Sequence, residues 1–234
     1  AYAGYYAATE CLDGLIGELR GELVDAGILD DTIFVFTSDH GDMLGSHGLA
    51  DKTAPFEEAI SIPFIIRYPK RVREGRTSDV LLAPIDMMPT VLGLAGAPCP
   101  RVDGMDLSGA ADGKGVRERD ALLLMQMTPA GNSWVLAGTE PWRGVRTKTH
   151  TYARFADGRP WALYDNQKDP FQIDNSIDRA PSLRLRERLE RRLRELLEEA
   201  RDPCDTRAIN DAILRVQPDH ELIRSARAAN PGIL

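Results

Sequence analysis

An α/β fold is predicted for this 234-residue chain: part of a doubly wound sheet comes first, and a small antiparallel sheet with a long helix follows. Three observations predict it. Apolar residues at three- and four-residue spacing over residues 9–26 lead into the uninterrupted apolar run of residues 33–36, giving a helix, a turn and a strand in succession. Residues 142–155 alternate in polarity and residues 161–165 run back after Asp157 and Gly158, which gives an antiparallel hairpin. From Ser182 onward, Leu185, Leu189, Leu193, Leu196 and Ala200 form one helical stripe.

In the first helix Leu12, Leu15, Ile16, Leu19 and Leu23 share a face, with Thr9 as the expected N-cap and Gly27 as the residue past the C-terminus. That face is expected to pack on the sheet. Asp30, Asp31 and Thr32 turn the chain into residues 33–36, read as a buried parallel strand because the run is apolar throughout. A second strand-like run covers residues 62–68. The basic loop of Lys70, Arg71, Arg73 and Arg76 reads as a solvated face, with substrate contact the alternative. Residues 84–92 are helical in pattern, with a kink or restart at Pro89 and with Met87 and Met88 as core filler. Glycine, proline and short polar residues make residues 96–115 a loop. A domain boundary is expected near residue 115, dividing residues 1–115 from residues 116–234. The second part opens with the apolar run of residues 121–125 and continues into residues 142–155, read as one long strand. Arg143, Arg146, Lys148 and His150 on it line either the wet side of a sheet or an anionic substrate. Asp169 and Pro170 mark a turn, and the arginines of the last long helix are offset locally by Glu187, Glu190, Glu195, Glu198 and Glu199. Beyond Pro203 the chain turns polar, with a short helical stretch over residues 208–215 and an end expected to fray at Asn230, Pro231 and Gly232.

Apolar residues make up 43% and charged residues 28%, which supplies a real core. A complete domain of this size buries roughly 70% of its unfolded surface. With 29 basic and 36 acidic residues the net charge is −7, which argues against nucleic acid as a general partner, so local charge must draw in any anionic substrate. No long apolar span predicts a membrane segment. Three cysteines give no disulfide framework and lean toward a reducing compartment or unpaired thiols.

Chemistry concentrates just past the first strand, where an open α/β sheet carries its ligands. Thr37, Ser38, Asp39, His40, Gly41 and Asp42 follow one another there. In a tight turn eased by Gly41, the Asp39 carboxylate and the His40 imidazole can reach one cation, the rest of whose ligands must come from elsewhere. Read by itself, the same string is an ordinary polar turn. His47 follows in Gly45, Ser46, His47, Gly48, then Lys52, then Glu57 and Glu58, then Ile62, Pro63, Phe64, Ile65, Ile66, Arg67, Tyr68 and Pro69.

This succession resembles the C-terminal signature of the arylsulfatase-like branch of the alkaline phosphatase superfamily. There S-D-H-G or S-D-N-G ends a strand, G-x-H-G follows, and a lysine and an acidic pair precede V-P-L-I-I-x-Y-P. Asp86, Pro89 and Thr90 resemble the family's D-x-x-P-T helix, Asp103 to Leu107 its x-D-G-x-S/D-L segment, and residues 143–170 its small C-terminal sheet. The resemblance implies an alkaline-phosphatase-like sheet and the hydrolysis of a sulfate ester on a small molecule or glycan. It implies Asp39 and His40 as ligands of a divalent cation, usually calcium. A nitrogen donor beside the carboxylate also admits manganese or zinc. It implies Lys52 as a catalytic, sulfate-contacting lysine, against the plainer reading of a solvated surface lysine. His47 is a catalytic candidate that donates to the leaving group or the sulfate, or else a structural histidine that orients its loop. The family's nucleophile is a formylglycine made from a cysteine or serine in C/S-x-P/A-x-R. Cys11, Cys99 and Cys204 do not fit that pattern, so the chain is expected to be a C-terminal portion without the nucleophile. A phosphonate monoester or phosphodiester hydrolase of the same superfamily, and a noncatalytic remnant or partner subunit, are the alternatives. The sequence leaves the substrate and the oligomeric state open.

Overall fold

The structure is a computed structural model and describes residues 2–49, 52–126 and 141–202. Cys204 and the expected short helix and fraying end lie outside the described residues. The chain divides into two compact units, one of Ala1–Asp51 with Ser61–Arg119 and the other of Lys52–Ile60 with Asp120–Leu234.

The first unit opens with helix α1, Tyr2–Asp25. It begins before Thr9, whose hydroxyl donates back to the Tyr5 carbonyl at 3.0 Å, so Thr9 is an interior residue and not the predicted cap. The far end agrees with the prediction. Gly27 takes φ +69°, its amide bonds the Val24 carbonyl at 2.9 Å and the Ile28 amide bonds the Leu23 carbonyl at 3.0 Å. Those two bonds form a Schellman stop, which needs a residue at ease with positive φ. The predicted apolar stripe is present, yet Leu12, Leu15 and Leu19 are exposed and no described residue buries them, so the expected packing of α1 on the sheet is not observed.

A single 3₁₀ turn, Leu29–Asp31, leads into β1, Phe34–Thr37. Arg67 fixes that turn by donating to the Leu29 carbonyl at 3.0 Å and to Asp30 at 2.5 Å, and Lys70 pairs with Asp31. β2, Phe64–Arg67, pairs antiparallel with β1, from Phe34 opposite Arg67 to Thr37 opposite Phe64. The parallel reading of β1 is therefore corrected: its residues are half-buried and its partner among the described residues runs the other way. An apolar run reports burial, not the direction of the neighbour.

Pro84–Asp86 form a 3₁₀ turn that passes into α3, Met87–Ala95; the short α2 before it in the chain, Glu57–Ile60, belongs to the second unit. Pro89 sits in the first turn of α3, where its missing N–H has no intrahelical acceptor to lose, so the helix restarts without a kink. Met88 is exposed and not core filler. The buried group is Asp86, fully sequestered, whose carboxylate accepts from the Ala83 amide at 2.8 Å, the Met105 amide at 2.8 Å and Arg119 at 2.6 Å. Lys70, Arg73 and Arg76 are exposed, as the solvated-face reading expects, and Arg71 departs from it by donating to the Gly93 and Leu94 carbonyls in the last turn of α3 and to Asp112 at 2.8 Å. A short helix, α4 at Ser108–Asp112, stands within the stretch read as loop.

The second unit holds a four-stranded antiparallel sheet in the order β3-β4-β5-β6: Ala121–Gln126, Trp142–Thr147, His150–Phe155 and Pro160–Asp165. The single long strand predicted over residues 142–155 is two strands. The Thr147 hydroxyl accepts from the His150 amide at 2.9 Å and the Thr149 amide at 3.3 Å, turning the chain back at Lys148 and Thr149. Gly158, at φ +95°, closes the predicted second hairpin. Helix α5, Leu183–Glu199, lays Leu189, Leu193, Leu196 and Leu197 on Ala121, Val145, Tyr152, Leu163 and Ile177, with Leu197 in the place expected of Ala200. Arg143 is fully buried and pairs with Asp202 at 2.5 and 3.3 Å, so it lines no wet face.

Candidate functional site

The loop leaving β1 is folded by its own side chains. The Ser38 hydroxyl donates to the His40 carbonyl at 2.7 Å, and the His40 amide donates to Asp39 Oδ1 at 3.0 Å. Gly41 is not among the residues with positive φ, so the turn comes from Ser38 and Asp39 and not from the glycine freedom expected of it. The His40 ring lies with Nδ1 2.7 Å from the Gly41 carbonyl. A carbonyl only accepts, so Nδ1 carries the proton and a neutral ring leaves Nε2 as a lone pair. That nitrogen stands 3.5 Å from Asp39 Oδ2, with the Asp39 side chain 84% exposed and the His40 side chain 37% exposed. Two acceptors so close are stabilised by a cation held between them. The donor pair fits one side of a divalent cation site, and the bond to the Gly41 carbonyl is the kind of outer contact that orients a ligating imidazole. Among the described residues, no group of three or more histidine, cysteine or acidic side chains is arranged to hold a metal.

Asp42 starts the next turn by accepting from the Leu44 amide at 2.8 Å. His47 follows in the 3₁₀ turn Ser46–Gly48, at φ +55° between Gly45 at +97° and Gly48 at +71°. Left-handed backbone at a residue with a Cβ is uncommon, and such strain gathers where a side chain must be aimed. The His47 side chain is exposed.

Lys52 opens the second unit. Its side chain is exposed, while Ala54, Pro55 and Phe56 just after it are buried. Thr53 holds φ +102° and its carbonyl accepts from the Trp142 indole N–H at 2.5 Å. Glu57, matched to the acidic pair by its sequence context, takes a bidentate contact from Arg146 at 2.7 and 3.1 Å, and its amide donates to Gln172 Oε1 at 2.8 Å. Arg146 is thereby an ion-paired anchor and not a lone substrate cation. His150 is half-buried beside the Thr149 hydroxyl, 2.7 Å from Nδ1, and loss of hydration pushes its pKa below the usual histidine value. The sequence gives no sign of the parts played by Trp142 and Gln172. Gln172 is fully buried at φ +52°, and its contact is with a residue 115 positions away.

Asp39 and His40 are thus brought together, with His47 in the following turn of the same unit, while Lys52 is carried by the other. The model of the N-sulphoglucosamine sulphohydrolase C-terminal family matches residues 45–199. An ulvan-active sulfatase of Formosa agariphila is 32% identical over 87% of this chain and 40% of its own length. A solved structure in complex with its substrate, D-glucosamine-2-N,6-O-disulfate, superposes with a TM-score of 0.76 at 30% identity, over 84% of this chain and 40% of that one. The phosphonate monoester hydrolase of Agrobacterium radiobacter superposes with a TM-score of 0.69 at 27% identity, over 80% of this chain and 39% of that one. The chain spans about 40% of the length of the relatives it matches.

Proposed function

The chain belongs to the sulfatase family, as its C-terminal domain, and from that premise we propose that it is the C-terminal part of an enzyme that hydrolyses a sulfate ester to an alcohol and sulfate. The observation that carries this reading is the fixed imidazole of His40, whose Nε2 faces Asp39 Oδ2 at 3.5 Å. On this reading Asp39 and His40 hold a divalent cation, calcium first, with manganese or zinc admitted by the nitrogen donor. When bound, the cation supplies fixed positive charge against the sulfate oxygens. Lys52 is proposed as the sulfate-contacting lysine, offering three N–H donors on a compact charge that stabilises negative charge on the sulfate oxygens without giving up a proton. His47, aimed by its left-handed backbone, hydrogen-bonds the sulfate or hands a proton to the departing alkoxide. The nucleophile, a formylglycine on this reading, belongs to the part of the relatives' length that this chain does not span. A sulfated small molecule or glycan is the proposed substrate class, in keeping with the disulfated glucosamine held by the similar solved structure.

The similarity to a phosphonate monoester hydrolase favours one second reading, in which the same donors serve a phosphorus ester. Rates measured side by side on 4-nitrophenyl sulfate, a phosphonate monoester and a phosphodiester decide between the two. The sulfatase reading expects the largest kcat/KM on the sulfate, and faster turnover of either phosphorus ester replaces it.

A further inference from the structure

We infer that Trp142 is a positioning residue for Lys52, with Gln172 and the Glu57–Arg146 ion pair as its auxiliaries; this deepens the proposed role of the lysine and rests on it. Thr53, the residue after Lys52, holds φ +102°. A β-branched residue there is a genuine outlier, and such backbone persists only when its surroundings over-determine it. Those surroundings are on the small C-terminal sheet and the loop that follows it. The indole N–H of Trp142, a side chain 2% exposed on β4, grips the Thr53 carbonyl at 2.5 Å. Four residues on, Gln172 accepts from the Glu57 amide at 2.8 Å and Arg146 takes the Glu57 carboxylate in a two-pronged contact. Between these anchors the Phe56 ring packs on Trp161 and Tyr164, with centroids 6.4 and 6.0 Å away.

Every one of these contacts lies within a single compact unit. The segment commits its backbone and its apolar side chains to the sheet, and Lys52 is the exposed residue at its head. A loop that merely needed docking has its contacts in Phe56 and Glu57. The strained peptide next to the lysine, held by a buried indole, fixes the direction in which the lysine leaves the surface. The small sheet then acts on the chemistry at a distance, by keeping an ammonium group on target.

The test is a double-mutant cycle in the full-length polypeptide that carries this chain. It uses whichever sulfate ester the wild type turns over fastest among 4-nitrophenyl sulfate and the monosulfated glucosamines. Trp142→Phe keeps an aromatic side chain, removes the N–H and trims the indole to a single ring. Lys52→Met removes the charge. We expect Lys52→Met to lower kcat/KM by at least about a hundredfold and Trp142→Phe by about tenfold, since small misplacement of a catalytic group costs up to about 10²-fold. The double variant is expected to be no slower than Lys52→Met alone, because the indole acts through the lysine. If Trp142→Phe is within twofold of wild type, or lowers kcat/KM by the same factor with and without the lysine, Trp142 is a fold residue and the inference is wrong while the lysine's role stands. If Lys52→Met leaves kcat/KM unchanged, the role of the lysine itself is wrong. Should Trp142→Phe not fold, Arg146→Met takes its place in the same cycle with the same outcomes.

Discussion

A single ring nitrogen carries much of the account. The proton on His40 Nδ1 is bound to the Gly41 carbonyl, and that leaves Nε2 and Asp39 Oδ2 as a matched pair of acceptors. Two donors make half a site, so this chain by itself is expected to bind calcium or manganese no tighter than about millimolar. Isothermal titration checks this, with Asp39→Asn removing the signal; a micromolar site that survives the substitution would put the metal elsewhere. The adjacency of Asp39 and His40 after an apolar strand is legible in the sequence. The tautomer is not, because it depends on a backbone carbonyl whose direction only the folded turn sets. The same holds for Lys52, whose anchors lie 89 and 115 positions from the residues they hold. The Asp112 carboxyl is held down from 3.8 to about 2 by the Arg71 guanidinium beside it. A depressed carboxyl stabilises the fold above its unfolded value and ceases to do so as pH falls through its folded one. The urea midpoints of wild type and Asp112→Asn should therefore differ most above pH 3.8 and converge as pH falls toward about 2. A gap that stays constant over that range excludes the pair as its cause.

Elements were legible in proportion to how local their causes are. The stripe of α5 names its own buried face, and Leu193, fully buried in the core, is expected to cost about 2–5 kcal/mol on truncation to alanine. Urea unfolding of Leu193→Ala measures it, and a loss under about 1 kcal/mol would show that the helix is not anchored on the sheet. The turn at Lys148 and Thr149 escaped notice because polarity alternates straight through it, and only the Thr147 hydroxyl reverses the chain. Arg143 escaped for the opposite reason, since a charged residue in an alternating strand reads as outward. Its guanidinium is buried against Asp202, and Asp202→Ala strands it there, a change expected to cost about 3–5 kcal/mol in the same assay. An unchanged midpoint would mean that water reaches the guanidinium. The antiparallel partner of β1 could not be told from an apolar run, which reports burial alone. The exposed stripe of α1 shows that periodicity can be right about the helix and silent about what covers it.

At the scale of the whole molecule, the ordered motifs from Ser38 to Pro69 carried the family, and the match over residues 45–199 agrees with them. Composition carried far less, because a net charge of −7 and a 43% apolar content describe very many globular chains. Substrate choice is legible in neither, since it is set by loops whose conformation no local pattern specifies. Among the described residues no helix is long and apolar enough to cross a membrane. On the proposed function, the Asp39–His40 pair serves the hydrolysis of a sulfate ester. The most direct test is kcat/KM for the fastest sulfate ester in the full-length polypeptide, wild type against Asp39→Asn, with circular dichroism to establish that both are folded. Loss of one preorganised charge at the reacting oxygens predicts a fall of about 10²–10³-fold. A folded Asp39→Asn variant within twofold of wild type would contradict the assignment.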